Sequence, residues 1–160
     1  MKRFRRLWLI SIASSMAVLA GPALATSWFD FSQSSSLVTI TSTNFNNPTP
    51  LRRVTVICPA NGHLVATAEA GFSLRPPVIP GKGWIRYSIT MGPGIDPNHY
   101  RNLQDYEPVS SHSSPAGMFR VDRCQAGQQI TYRFVAQRVQ AVSASAWQPR
   151  LVVEFFDIVI

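Results

Sequence analysis

Hydrophobic and polar positions alternate with a period of two along most of the chain after residue 26, as expected for strands with one buried face. Glycine, proline and asparagine interrupt this alternation at short intervals, which is typical of antiparallel sheets. The clearest stretch places Ile130, Tyr132, Phe134 and Ala136 on one face. The pattern predicts seven strands, at 37–43, 52–58, 64–72, 84–91, 118–124, 128–139 and 151–160. An eighth strand is predicted around residues 28–31. No segment has a helical pattern.

Two small architectures suit such a chain, the immunoglobulin-like sandwich and the jelly roll. An immunoglobulin core places a Trp on the strand after its first Cys and a Tyr two residues before its second. Here Trp84 follows Cys58 only after a further predicted strand, and Asp122 occupies the place of the Tyr. We therefore expect an all-β fold, an antiparallel β-sandwich, with the jelly roll preferred over the immunoglobulin-like form.

Two features of the pattern predict particular contacts. The predicted strands 52–58 and 64–72 flank an Asn61-Gly62 turn, which indicates a β-hairpin. The segment 151–160 is apolar on both faces, so a single sheet cannot bury both sets of side chains. We expect a loop or a neighbouring subunit to cover the second face.

The alternation is absent from residue 92 to residue 117, a stretch that contains four prolines. A connection of this length is uncommon in a small domain unless it is functional. We therefore predict a loop over 92–117, dispensable for folding, that forms the contact surface for a ligand. Its candidate binding residues are Asp96, His99, Tyr100, Arg101, Asp105, Tyr106, Glu107 and His112.

The chain contains two cysteines, Cys58 and Cys124. An even pair in an exported chain is most simply a disulfide. Neither belongs to a C-x-x-C motif or has a His or Cys neighbour at metal-ligand spacing, so a redox or metal role is not expected. We predict a structural disulfide between them.

The first 25 residues have the features of a secretory signal peptide. A basic head precedes an apolar run over 7–20, and Ala23-Leu24-Ala25 supplies the small residues of a cleavage site. The run is too short to span a bilayer, and Pro22 stands where a lipid-accepting Cys would be needed. We expect cleavage after Ala25, a single domain over 26–160 without a membrane span, and a periplasmic or secreted location.

The formal net charge of +7 at pH 7 comes largely from this leader. Four of the fifteen Lys and Arg residues lie in it and none of the eight acids does, which leaves eleven basic and eight acidic residues, a net charge of +3. The remaining basic residues are scattered and not interleaved with aromatic residues. A nucleic-acid partner is therefore not expected.

Few residues suggest catalysis. His99 with Asp96, Asp105 and Glu107 includes metal-ligand types, but the spacing matches no known metal-binding motif. His112 lies among serines, yet adjacent loop residues do not face one another as a nucleophile and its base must. We expect no enzyme activity, no metal and no cofactor. The alternative is a small secreted hydrolase, or a carbohydrate-binding protein with exposed aromatic rings, whose site lies on 92–117.

A family resemblance supports the jelly roll. Ala126-Gly127 leading into 130–136, followed by 151–156, resembles the closing hairpin of C1q/TNF-like jelly-roll domains. Asn61-Gly62 followed by 64–68 is similar to an early strand of that family. The resemblance implies a non-catalytic extracellular recognition or structural module, a homotrimer that contacts an extracellular or cell-surface ligand.

Overall fold

A computed structural model describes residues 28–75, 83–105 and 112–157. The predicted signal peptide, residues 1–25, lies outside this part. The described residues form nine strands: β1 (Trp28–Gln33), β2 (Val38–Thr39), β3 (Thr49–Ile57), β4 (Gly62–Arg75), β5 (Gly83–Thr90), β6 (Tyr100–Asp105), β7 (His112–Cys124), β8 (Gln129–Gln140) and β9 (Ser143–Asp157). None of the described residues belongs to a helix that could cross a membrane.

The strands form two antiparallel sheets. Sheet A has the order β1-β9-β4-β7. The short strand β2 also pairs with β9, at residues 145–146, whereas β1 pairs with residues 150–155. Sheet B has the order β3-β8-β5-β6. The two sheets pack face to face and enclose one hydrophobic core. The fold is therefore an antiparallel β-sandwich, as the alternation of the sequence predicts.

Pairing between strands is nested along the chain. β1 pairs with β9, β3 with β8, β4 with β7 and β5 with β6. The chain thus reverses once, between β5 and β6, and its second half returns beside the first in the opposite order. Neighbours in a sheet are consequently far apart in sequence, except for β5 and β6.

The core lies where the inward faces of the two sheets meet. On β4 the predicted inward residues are all buried, from Leu64 to Phe72. Three rings from three strands pack together, since the ring of Phe72 lies 5.1 Å from that of Tyr87 and 6.3 Å from that of Phe134. Met91, also expected inward, is 43% exposed because β5 ends at Thr90.

The predicted hairpin between 52–58 and 64–72 is wrong. β3 belongs to sheet B and β4 to sheet A, so the chain crosses between sheets where a tight turn was expected. β8 and β9, which resemble a closing hairpin, likewise lie in different sheets. Each of these strands has one apolar face, and placing successive strands in opposite sheets packs those faces against each other.

The predicted loop over 92–117 also differs from the structure. It contains β6, which pairs with β5 from Ser88↔Tyr100 to Gly83↔Asp105, and the first residues of β7. β6 is an edge strand, and its outward side chains are exposed and polar or aromatic. It therefore lacks the apolar alternation on which the prediction depended. The connection that remains before it is 91–99, while 106–111 lies outside the described residues.

The predicted strand 37–43 is reduced to the two residues of β2. The Ile40 N–H donates to the carbonyl of Ala144 in sheet A, at 2.8 Å. Two residues later, the Ser42 carbonyl accepts from the N–H of Arg138 in sheet B, also at 2.8 Å. The backbone therefore passes from one sheet to the other here, and Ile40 is buried in the core as it does so.

Cys58 follows β3 directly and Cys124 ends β7, so the predicted disulfide joins the two sheets. The two Cα atoms lie 6.2 Å apart, within the range that a disulfide spans. Both cysteines are buried.

Candidate functional site

The structure places four of the eight predicted binding residues together. Asp96 and His99 lie on the 91–99 connection, and Tyr100 and Arg101 begin β6. The predicted residues Asp105 and His112 belong to β6 and β7, but their side chains are outside the described part. Tyr106 and Glu107 fall within the undescribed segment 106–111.

His99, Tyr100 and Arg101 border a groove between the edge strands of the two sheets. The β6 side of the groove is formed by residues 98–101 and the β7 side by residues 117–121. Its volume is about 640 Å³. The groove therefore joins part of the predicted loop to a strand that the sequence did not indicate as functional.

The polarity of β7 is inverted where it borders the groove. Arg120 and Asp122 point into the sandwich, and Arg120 is only 8% exposed. Phe119, which precedes Arg120, and Val121, which lies between Arg120 and Asp122, point outward and are 68% and 51% exposed. A charged residue in a strand is normally assigned to the solvent side, so the period-two pattern alone favours the opposite arrangement of these faces.

Arg120 is held by two carboxylates. Its Nε and Nη2 donate to the two oxygens of Asp122 at 2.7 and 2.9 Å, and its Nη1 donates to Asp96. The hydrogen bond to Asp122 raises the pKa of Arg120 against the opposing effect of burial, and the hydrogen bond to Asp96 adds to the increase. A bidentate pair of this kind fixes both side chains in the low-dielectric interior.

Asp96 is oriented by its own loop as well as by Arg120. Its Oδ1 accepts from the backbone N–H of Asn98 at 2.9 Å. Burial alone would raise the pKa of Asp96, but this hydrogen bond, the hydrogen bond to Arg120 and the positive charge of Arg120 together lower it below 3.8. The carboxylate is therefore held in its charged form.

Tyr132 completes this network from the opposite sheet. Its ring is fully buried and its hydroxyl donates to Oδ2 of Asp122 at 3.0 Å. Burial raises the pKa of Tyr132, and the negative charge of Asp122 raises it further. Asp122 thus accepts hydrogen bonds from β7 and from β8, which ties the two sheets together below the groove.

His99 is the one imidazole described beside this network. Its Nδ1 lies 3.6 Å from Oδ2 of Asp96, and its side chain is 47% exposed. The nearby Ser88 is fully buried, and its hydroxyl donates to the carbonyl oxygen of His99 at 2.6 Å. That hydroxyl therefore does not face the imidazole as a hydrolase nucleophile must. Among the described residues, no three His, Cys, Asp or Glu side chains are placed to hold a metal ion.

A second surface, which we call the A face, was predicted from the sequence only on its C-terminal strand, whose second apolar face we expect a loop or a neighbouring subunit to cover. It is the outward side of sheet A, where one row of side chains crosses four of the five strands: Phe31 on β1, Val152 on β9, Thr67 on β4 and Phe119 on β7. The available signal was the apolar second face of 151–160, of which Phe156 is 46% exposed.

The matches among known proteins are to solved structures. No family model matches the chain, and no curated protein does. Among solved structures, the chain is similar to the EclA C-terminal domain, described as a sugar-binding protein, at 10% identity. The match covers 93% of this chain and 99% of that domain, with a TM-score of 0.38.

Proposed function

We propose that the protein is an exported, non-catalytic β-sandwich module that binds a ligand outside the cytoplasm and assembles with copies of itself through the A face. One observation carries the assembly: the row of side chains that runs from Phe31 to Phe119 across the sheet. Taking about 200 Å² for a fully exposed Phe side chain, Phe31, Phe119 and Phe156 together leave roughly 340 Å² of aromatic surface in water. Val121 and Trp147 add to this surface, and an apolar patch of several hundred Å² is often an interaction site.

The charges of the A face suit a second copy of the same chain. Glu69 and Arg150 form an ion pair on it at 3.4 Å. Glu154 and Arg123 also project from this side of the sheet, on β9 and β7. Because acidic and basic side chains are mixed, two copies can meet without like charges facing each other throughout. In a closed cyclic assembly each copy buries the same patch.

The number of copies in the proposal is three, which is what the resemblance to C1q/TNF-like domains implies. The nested pairing of the strands supports a jelly-roll winding, in which a long hairpin is wrapped around the core. A homotrimer would leave the outward side of sheet B on its exterior, accessible to a ligand.

Export is the remaining part of the proposal. The Cys58–Cys124 disulfide fits an oxidising compartment. It supports the interpretation of residues 1–25 as a cleaved signal peptide and a location in the periplasm or the medium.

Sedimentation equilibrium of the exported protein tests the assembly. We expect a trimer at micromolar concentration and a monomer for Phe119→Asp, since a charge introduced on the A face would be buried unpaired on association. The matched control is Ile57→Asp. Ile57 is 61% exposed but lies on sheet B, so its replacement should leave the trimer intact. A monomeric wild-type protein, or equal dissociation of both variants, would contradict assembly through the A face.

A further inference from the structure

An arginine on the outward side of sheet B is surrounded by aromatic rings. The guanidinium carbon of Arg86 lies 4.6 Å from the ring centroid of Tyr100, 5.2 Å from that of Trp84 and 5.3 Å from that of Phe45. All three distances fall within the range of cation–π attraction. The rings come from β5, β6 and the connection before β3, so three elements fix the position of one positive charge.

The hydrogen bond of Arg86 to Asn102 leaves the two terminal nitrogens of its guanidinium group available. Its Nε donates to Oδ1 of Asn102, directly across from it on β6, at 3.3 Å. Within the described part of the chain, the arginines that pair with carboxylates are Arg120 and Arg150. Arg86 is held by rings and an amide instead, and its two terminal nitrogens have the geometry that matches a carboxylate.

The electrostatic surroundings favour an anion. Two more arginines, Arg53 and Arg133, lie on this side of sheet B, directly opposite each other on β3 and β8. They are the other charged residues among the described strand positions on this side. The same positions include no acidic residue. A face with a single sign of charge attracts ligands of the opposite sign.

The neighbouring groups favour a sugar as the carrier of that anion. The Tyr100 side chain is 38% exposed beside the guanidinium, and an aromatic face packs against the C–H face of a pyranose. Asn102 is exposed next to it and can exchange hydrogen bonds with hydroxyl groups. A few fixed polar groups beside aromatic surface are the usual composition of a small-ligand site.

We propose that Arg86, Tyr100 and Asn102 form a binding site for acidic saccharides, in which a uronic acid carboxylate pairs with the guanidinium and the sugar ring packs on Tyr100. This site goes beyond the proposed assembly, because it lies on the opposite sheet from the A face and does not require it. It names a ligand class for the binding function.

Calorimetric titration of the exported protein with trigalacturonic acid tests the site. We expect binding, with affinity reduced about tenfold or more in Arg86→Gln, because the bidentate pair is lost. Tyr100→Ala should weaken binding several-fold through loss of stacking. Arg53→Gln removes the same charge from the same face outside the site, so its affinity should stay within about twofold of the wild-type value.

Three further results would overturn the proposal. The first is equal loss of affinity in Arg86→Gln and Arg53→Gln, which would indicate general charge attraction. The second is binding of the methyl ester of the same trisaccharide as tightly as the acid, which would exclude the carboxylate. The third is equal binding of triglutamate, which would indicate an acidic peptide ligand. Circular dichroism melting confirms that each variant is folded, and sedimentation of Arg86→Gln separates this test from that of the assembly.

Discussion

Arg120 and Asp122 are two residues apart on β7, and both point into the sandwich, where they form a bidentate ion pair at 2.7 and 2.9 Å. Neighbours of this spacing on a strand share one face, so the pair forms within a single strand and does not bridge two. The strand thereby carries these two charges inward, and its apolar side chains Phe119 and Val121 are left on the A face.

Removal of one carboxylate from this pair should destabilise the fold. In Asp122→Asn, the buried Arg120 keeps its charge with Asp96 as its remaining carboxylate partner. We expect a loss of about 3 kcal/mol in the free energy of unfolding, measured by urea denaturation. The control is Arg150→Gln, which breaks the exposed pair with Glu69 and should cost less than about 1 kcal/mol. Equal losses in the two variants would mean that Arg120 is not effectively buried.

The stability of the protein should depend on the charge of Asp96 at acidic pH. Because the folded state lowers the pKa of Asp96 from 3.8, the unfolded chain takes up the proton first as the pH falls. The contribution of Asp96 to stability is therefore complete above that value and is lost as the pH falls through the lower folded pKa. Asp96→Asn should be less stable at about pH 6 and should lose less stability between about pH 5 and pH 2. Urea unfolding across that range measures both, and parallel pH profiles for the two proteins would contradict the assignment.

Gly62 should be intolerant of a side chain. A Cβ at this position would collide with the carbonyl oxygen of Phe156 and lie 2.8 Å from the ring of Phe155. Overpacking of this kind costs about 1–3 kcal/mol, so Gly62→Ala should lower the midpoint of thermal unfolding. Gly92→Ala is the matched control, since a Cβ there would meet only the Thr90 hydroxyl oxygen at 3.8 Å. An unchanged midpoint in Gly62→Ala would show that β9 can move away from β4.

Which face of a strand is buried could be predicted from the sequence where one face is consistently apolar. On β8, Ile130, Tyr132, Phe134 and Ala136 are all buried as expected. Strand partners could not be predicted in the same way, since alternation identifies a buried face without identifying the sheet that contains it. β6 was missed because its outward residues, Tyr100 and Asn102 among them, are exposed and give no apolar period.

Some residues of the candidate site could be identified from the sequence and others could not. Asp96, His99, Tyr100 and Arg101 could be identified because polar and aromatic residues stand out in a segment without alternation. Arg120 could not, because a charged residue in a strand is normally assigned to the solvent side. Its charge is balanced by Asp122 on the same strand and by the loop residue Asp96, and the pairing with Asp96 has no local pattern.

The nested pairing constrains the moment at which the protein can fold during its synthesis. β9 lies between β1 and β4, so sheet A has no continuous hydrogen-bonding path until residues 143–157 have left the ribosome. Until then, β1 and β4 lack the strand that joins them. A nascent chain of this topology therefore cannot complete sheet A before β9 has been translated, and until then it keeps the unfolded form that the proposed export requires.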